Sequence, residues 1–264
     1  MGELMAGKVA LVSGSTRGIG RSIAEHLAAQ DARVAVAGRS VEKGEKVVGR
    51  IREAGGTAEF LRLDVTDEDS VREAIEETVR RFGALTTLVN NAAPTEIVAT
   101  TVKPLADYST DEWNRIVTAT LTGSVFWASK YAWPHLAAAG GASIVNISSG
   151  QAIAGFKGFG AYGAAKAGVT ALTRTLAVEG APYGIRANSV LVGRVVSGRG
   201  DSGHHTGGGR LTRMGHPMDI AYAVGYLASD LAAFVTGAQL TADGGFSING
   251  DAVADAEAAA AASA

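Results

Sequence analysis

The strongest constraint on the fold lies between residues 8 and 30. Lys8-Val9-Ala10-Leu11-Val12 is a short apolar run, and Ser13-Gly14-Ser15-Thr16-Arg17-Gly18-Ile19-Gly20 is a glycine-rich turn. From Gly18 to Gln30 apolar residues then recur at helical spacing, at Ile19, Ile23 and Leu27. A buried strand, a tight turn and an amphipathic helix in succession open a β-α-β unit, which builds a parallel sheet. Gly14 is expected to permit the turn, Gly18 to let a ligand approach the backbone, and Gly20 to let the helix pack closely. The first N–H groups of such a helix have no intrahelical acceptor. The turn, with Ser15, Thr16, Arg17 and Ile19 between its glycines, is therefore expected to hold the pyrophosphate of a dinucleotide. Its spacing is Gly-x-x-x-Gly-x-Gly, not the commoner Gly-x-Gly-x-x-Gly.

The alternation continues down the chain. Apolar runs at Arg33–Ala37, Ala58–Leu63, Thr86–Asn90, Ser143–Ile147, Arg186–Leu191 and Ala238–Thr241 are separated by helical patterns such as Glu68–Phe82 and Pro217–Ser229. The runs are near-continuously apolar, as expected of parallel strands covered on both faces. They predict one doubly wound α/β domain, with a seven-stranded parallel sheet flanked by helices, spanning residues 1–249. No internal repeat or linker divides it. Ligands in such sheets bind beyond the carboxyl ends of the strands. The glycine turn, Asn90, Ser149 and Gly193 all fall there.

The second run ends at Gly38-Arg39-Ser40. A site for an unphosphorylated ribose usually places an acidic residue here. Arg39 instead offers a planar fork for a 2′-phosphate, and Arg17 can reach the same group. NADP(H) is therefore expected over NAD(H).

Farther on, Tyr162 and Lys166 lie four apart, downstream of Ser148-Ser149. On a helix they share a face. A free tyrosine ionises at about 10, and a buried lysine together with a cationic cofactor ring is expected to lower that value. Such a tyrosine can exchange a proton with a carbonyl or alcohol oxygen.

Taken in order, these motifs resemble the short-chain dehydrogenase/reductase family from about Lys8 to Ile248. Further matches are Leu63-Asp64-Val65, Asn90-Asn91-Ala92-Ala93, the strand Ile144 to Ser149, and Thr236-Gly237 through Asp243-Gly244-Gly245. The resemblance implies a Rossmann-type fold and hydride transfer between a nicotinamide and a carbonyl or alcohol carbon. It implies that Ser149 binds the substrate oxygen, that Tyr162 is acid in reduction and base in oxidation, and that Lys166 holds the ribose. Asp64, Val65, Asn91, Ala92 and Gly193 would join the cofactor site. The substrate would be a small, partly hydrophobic carbonyl or alcohol compound, with a 3-oxoacyl thioester as the first alternative. A binding protein that senses nucleotide without turnover is the alternative of a different class. A homotetramer through the helices around Trp113–Ala138 and Ala161–Ala181 is also implied.

Three positions depart from the family pattern. Thr120 stands where a catalytic asparagine is usual, and Asn114 is six residues too early for the role. Threonine is shorter and can bond back to its own helix. Either a proton relay runs through its hydroxyl and backbone carbonyl, or proton exchange slows. Val192-Gly193 replaces a Pro-Gly pair, with Val196 and Ser197 where a threonine is common, and Ala93 replaces a glycine.

Composition excludes several classes. There is no cysteine, which removes disulfides and thiolate metal sites and suits a reducing cytoplasm. The net charge of −2 gives no broad pull toward nucleic acid or acidic membranes. No basic, apolar signal segment opens the chain. Leu121 to Ala139 is apolar but carries Lys130, Pro134 and His135, so it reads as a buried helix rather than a membrane span. His204-His205 lack a metal-ligand motif, and no metal is expected. Residues 194–215 are expected to form a substrate lid, within which Arg199, Arg210 and Arg213 could meet an acyl carrier. The alanine-rich tail 250–264 is expected to fray. Phe156, Phe159 and Trp127 are expected near an apolar substrate.

Overall fold

The computed structural model describes residues 3–195, 211 and 213–248. Seven strands, β1 (Val9–Ser13), β2 (Arg33–Gly38), β3 (Thr57–Arg62), β4 (Thr87–Asn90), β5 (Ala142–Ser149), β6 (Ile185–Val192) and β7 (Gln239–Ala242), form one sheet. Its order is β3-β2-β1-β4-β5-β6-β7, and every pairing is parallel. The helices are α1 (Gly18–Ala29), α2 (Val41–Glu53), α3 (Glu68–Phe82), α4 (Thr95–Thr100), α5 (Thr110–Val117), α6 (Ala128–Ala138), α7 (Gly160–Gly180) and α8 (Pro217–Ala228). The architecture is the doubly wound Rossmann-type sheet that the apolar runs predict. The strand order reverses direction between β1 and β4, which opens a crevice at their carboxyl ends.

The two faces of β1 explain why its sequence does not alternate. Ala10 and Val12 join Val34 and Val36 in a layer with Ile23, Leu27, Val47, Ile220 and Val224. Val9 and Leu11 join Ala35 and Ala37 in a layer with Ile75, Leu136, Val169 and Leu176 on the other side. Both sets are buried, so every strand position favours an apolar residue.

Helix boundaries follow local chemistry. Asp67 caps α3 by accepting from the Asp69 and Ser70 N–H groups, and Gly83 ends it in the left-handed region at φ 80°. Ser109 and Glu112 form a reciprocal capping box at α5. Between α5 and α6 the chain stays helical through Thr118–Trp127, but with π-type pairing. The stretch expected to be a buried helix is buried on one side only. Phe126 is 48% exposed and Lys130 faces solvent, so one side of this long helix lies at the surface.

The pieces of residues 194–215 that are described come together at their base. Val195 bridges to Gly215, the Gly215 N–H donates to the Arg194 carbonyl at 3.0 Å, and Arg213 forks onto Asp219. The expected lid body, with His204, His205, Arg199 and Arg210, and the expected tail 250–264 lie outside the described residues. Among the described residues no helix is long and apolar enough to cross a membrane, and no cluster of His, Asp and Glu could hold a metal ion.

Candidate active site

β5 runs two residues farther than its apolar stretch suggests, and its pleat sorts the paired serines. Ser148 turns inward, with its Oγ donating to the Lys166 carbonyl at 3.2 Å and lying 3.0 Å from Thr170 Oγ1. Ser149 faces the other way, is half-buried, and caps the turn Gly150–Ala152 by accepting from the Gln151 N–H. Tyr162 and Lys166 occupy the first two turns of α7, which packs on β5 and on that turn. The start of α7, with Tyr162 and Lys166, thus packs against the carboxyl end of β5, where Ser149 lies.

Lys166 is 3% exposed, and its Nζ donates to the Ile147 carbonyl at 2.6 Å while standing 5.6 Å from the Tyr162 ring centroid. The lysine is tied to β5, so its charge is partly spent on a carbonyl dipole. Burial pushes the Tyr162 phenol up to about 12 and takes Lys166 down to about 8. Desolvation disfavours both charged forms in the protein alone, whereas the lowering expected of Tyr162 belongs to the site with Lys166 and a cationic cofactor ring together. The phenol keeps its proton at neutral pH.

These shifts make a stability prediction. Folded Lys166 releases its proton near 8, and an unfolded lysine does so near 10.5. Between those values the unfolded chain binds more protons, so stability rises with pH. Tyr162 acts oppositely above pH 10, where the unfolded phenol ionises and the folded one does not. The clean window is pH 8 to 10. Across it the wild type is expected to gain about 2 kcal/mol relative to Lys166→Met, measured by urea unfolding. A constant difference between the two proteins would show that Lys166 titrates normally.

Thr120 is buried, and its Oγ1 has no hydrogen-bond partner among the described residues. The back-bond expected of a helical threonine does not form. It sits in the π-type stretch, where pairing runs from i to i+5 and the carbonyl one turn back is displaced. Asn114 is exposed on α5.

The glycine turn is shaped by close approach. Gly14 and Gly18 adopt φ 65° and 55°, conformations that side chains rarely take. A Cβ on Gly14 would lie 2.9 Å from Ala92 Cα, and one on Gly20 would collide with the Gly14 carbonyl and Asn91 Nδ2. Gly18 faces open space, and α1 has no side-chain cap at Arg17. This turn therefore fits the pyrophosphate of a dinucleotide. Several expected contact residues serve the scaffold. Asn91 donates to the Ser13 and Gly14 carbonyls at 2.9 and 3.2 Å, and Ser15 Oγ donates to the Val12 carbonyl and accepts from the Ala37 N–H. The Thr16 methyl packs against Gly38, Ile19 packs on the core, and Gly193 lets β6 approach Asp243. Asp64 accepts from the Thr66 N–H and hydroxyl, while the Val65 carbonyl lies against Gly123.

Arg17 and Arg39 both lie near one carboxylate, which sequence reasoning missed. Glu96 Oε1 is 3.0 Å from Arg17 Nη2, and Oε2 is 3.9 Å from Arg39 Nη2. Phe246 was missed as well. It stacks on Phe156 with ring centroids 5.7 Å apart, and the Arg194 guanidinium lies 6.0 Å from its ring. Its place just after Asp243-Gly244-Gly245, at the carboxyl end of the last strand, was the available signal. Phe159 is half-buried at the start of α7. Trp127 packs on the core layer with Val65 and Leu121 and belongs to the scaffold.

Residues 14–247 match the family described as enoyl-(acyl carrier protein) reductase. The chain is 40% identical over 252 residues to cis-4-hydroxycyclohexanecarboxylate dehydrogenase of Sinomonas cyclohexanicum, covering 93% of this chain and 99% of that protein. It is 36% identical over 242 residues to cyclohexanol dehydrogenase of Acinetobacter sp. (strain SE19), covering 90% and 94%. Among solved structures, a short-chain type dehydrogenase/reductase from Mycobacterium ulcerans superposes with a TM-score of 0.86 at 28% identity, covering 93% of this chain and 91% of that one.

Proposed function

The chain belongs to the short-chain dehydrogenase/reductase family and is an oxidoreductase of CH–OH and C=O groups, and on that premise we propose that it interconverts a small cyclic secondary alcohol and its ketone with NADP(H). The observation that supports the chemistry is the packing of the start of α7, with Tyr162 and buried Lys166, against the end of β5, where Ser149 lies. When bound, the nicotinamide supplies the hydride or accepts it. The turn from Gly14 to Gly20 holds the pyrophosphate, with Arg17 and Arg39 on the 2′-phosphate. Asp64, Val65, Ala92 and Gly193 shape the rest of that site. Ser149 donates to the substrate oxygen. In reduction Tyr162 gives its proton to that oxygen, a role suited to a phenol that stays protonated at neutral pH. Lys166 and the Thr120 hydroxyl, unpartnered among the described residues, return a proton toward it.

The cyclic substrate class is supported by what the relatives are named for and by the apolar wall of Phe156 and Phe246. Of the three arginines expected for an acyl carrier, Arg213 is already engaged by Asp219. Assembly is proposed as a homotetramer through α5–α6 and α7.

Turnover of cyclohexanol and 4-hydroxycyclohexanecarboxylate should be compared with reduction of 3-oxoacyl thioesters. The cyclic alcohols are expected to show kcat/KM at least about tenfold higher, the scale on which an apolar pocket discriminates. Thioester turnover alone would replace this reading with the acyl one.

A further inference from the structure

The carboxylate between the two cofactor-site arginines is held by the same frame as the glycine turn. Glu96 is the second residue of α4, five positions after Asn91. Asn91 is bonded to the Ser13 and Gly14 carbonyls, and the Ser13 hydroxyl accepts from the Asn91 and Ala92 N–H groups at 3.0 and 3.1 Å. Arg17 leads into α1 from that turn, and its Nη2 also reaches Thr95 Oγ1 at 3.4 Å. Arg39 follows β2. Two cations and one anion are therefore set together by three neighbouring strand ends.

We infer that Glu96 is a specificity-determining residue, an internal anion that competes with the cofactor's 2′-phosphate for Arg17 and Arg39 and so narrows the preference for NADP(H) over NAD(H). The inference rests on the NADP(H) reading above. A 2′-phosphate brings close to two negative charges and must share the guanidinium groups with Glu96 or displace it. A ribose with a plain hydroxyl brings no charge, leaves the Arg17–Glu96–Arg39 bridge intact, and can donate to the carboxylate. Glu96 thus opposes one cofactor and tolerates the other. Arg17 and Glu96 are about half-exposed and Arg39 is mostly exposed, so the effect is screened and moderate rather than absolute.

The test is equilibrium titration of NADP⁺ and NAD⁺ into wild type, Glu96→Gln and Arg39→Ala, at low salt and at high salt. Glutamine keeps an acceptor and removes the charge. Glu96→Gln is expected to tighten NADP⁺ by about three- to fivefold at low salt, with NAD⁺ changed less than about twofold and the gap shrinking at high salt. Equal shifts for both cofactors, or no shift for NADP⁺ where Arg39→Ala weakens it, would overturn the role of Glu96 alone. If Arg39→Ala leaves NADP⁺ affinity unchanged, the 2′-phosphate reading fails and the competition fails with it.

Discussion

Tyr162→Phe is expected to lower kcat by about a thousandfold or more while the protein folds and binds cofactor as before. The substitution removes one oxygen and keeps the ring beside Lys166. No protein group among the described residues bonds that hydroxyl, so its loss should change stability by less than about 1 kcal/mol. The effect must then appear in chemistry. On the proposed mechanism the phenol is the proton donor, and burial pushes its pKa up to about 12. The check is kcat on a cyclic ketone beside the dissociation constant of NADPH. A drop in kcat of less than about tenfold, with binding intact, would move the proton donor to Ser149 or water.

Gly20→Ala should be the most damaging single-methyl change in the cofactor half. The added carbon would collide with both the Gly14 carbonyl and Asn91 Nδ2. One is backbone in the glycine turn, and the other is the amide that fixes that turn to β4. Neither can rotate away without breaking Asn91's bonds to Ser13 and Gly14. Overpacking at such a point costs about 2–3 kcal/mol. Cofactor affinity should fall by at least about tenfold, because the N–H groups meant for the pyrophosphate move with the turn. Thermal unfolding and cofactor titration read the two effects separately. Gly18→Ala is a useful contrast, since its cost arises from φ 55° rather than from collision.

Much of this was legible in the sequence, for identifiable reasons. Apolar runs set by a two-sided sheet placed all seven strands within two residues of where they lie. Glu68–Phe82 coincides with α3 because Asp67 and Gly83 are strong cap signals. The site was legible where covalent spacing dictates geometry, as with Tyr162 and Lys166 on one helical face. It was not legible where the outcome depends on distant packing. The direction of the Tyr162 shift follows from burial, which no local spacing encodes. Ser15 and Asn91 were correctly placed at the turn, but their hydrogen bonds go to the protein. Glu96 and Phe246 come from segments with no motif of their own, and only the sheet order brings them beside Arg39 and Phe156.

The π-type stretch from Thr118 to Trp127 has a consequence for insertions and deletions. A π turn is equivalent to an α-helix with an extra residue taken up inside it. Deleting one residue between Leu121 and Val125 should therefore be absorbed as a return to ordinary α-helix rather than as a break. The flanking helices α5 and α6 would keep their relative orientation, because the residue lost is the one that the wider turn had taken up. The same deletion within α6, where no wide turn can absorb it, would instead rotate one half of the helix against the other by about 100°, the angle of one helical residue. The stretch is thus a reserve of length, and the one part of this long helix where a change in residue number need not become a change in aim.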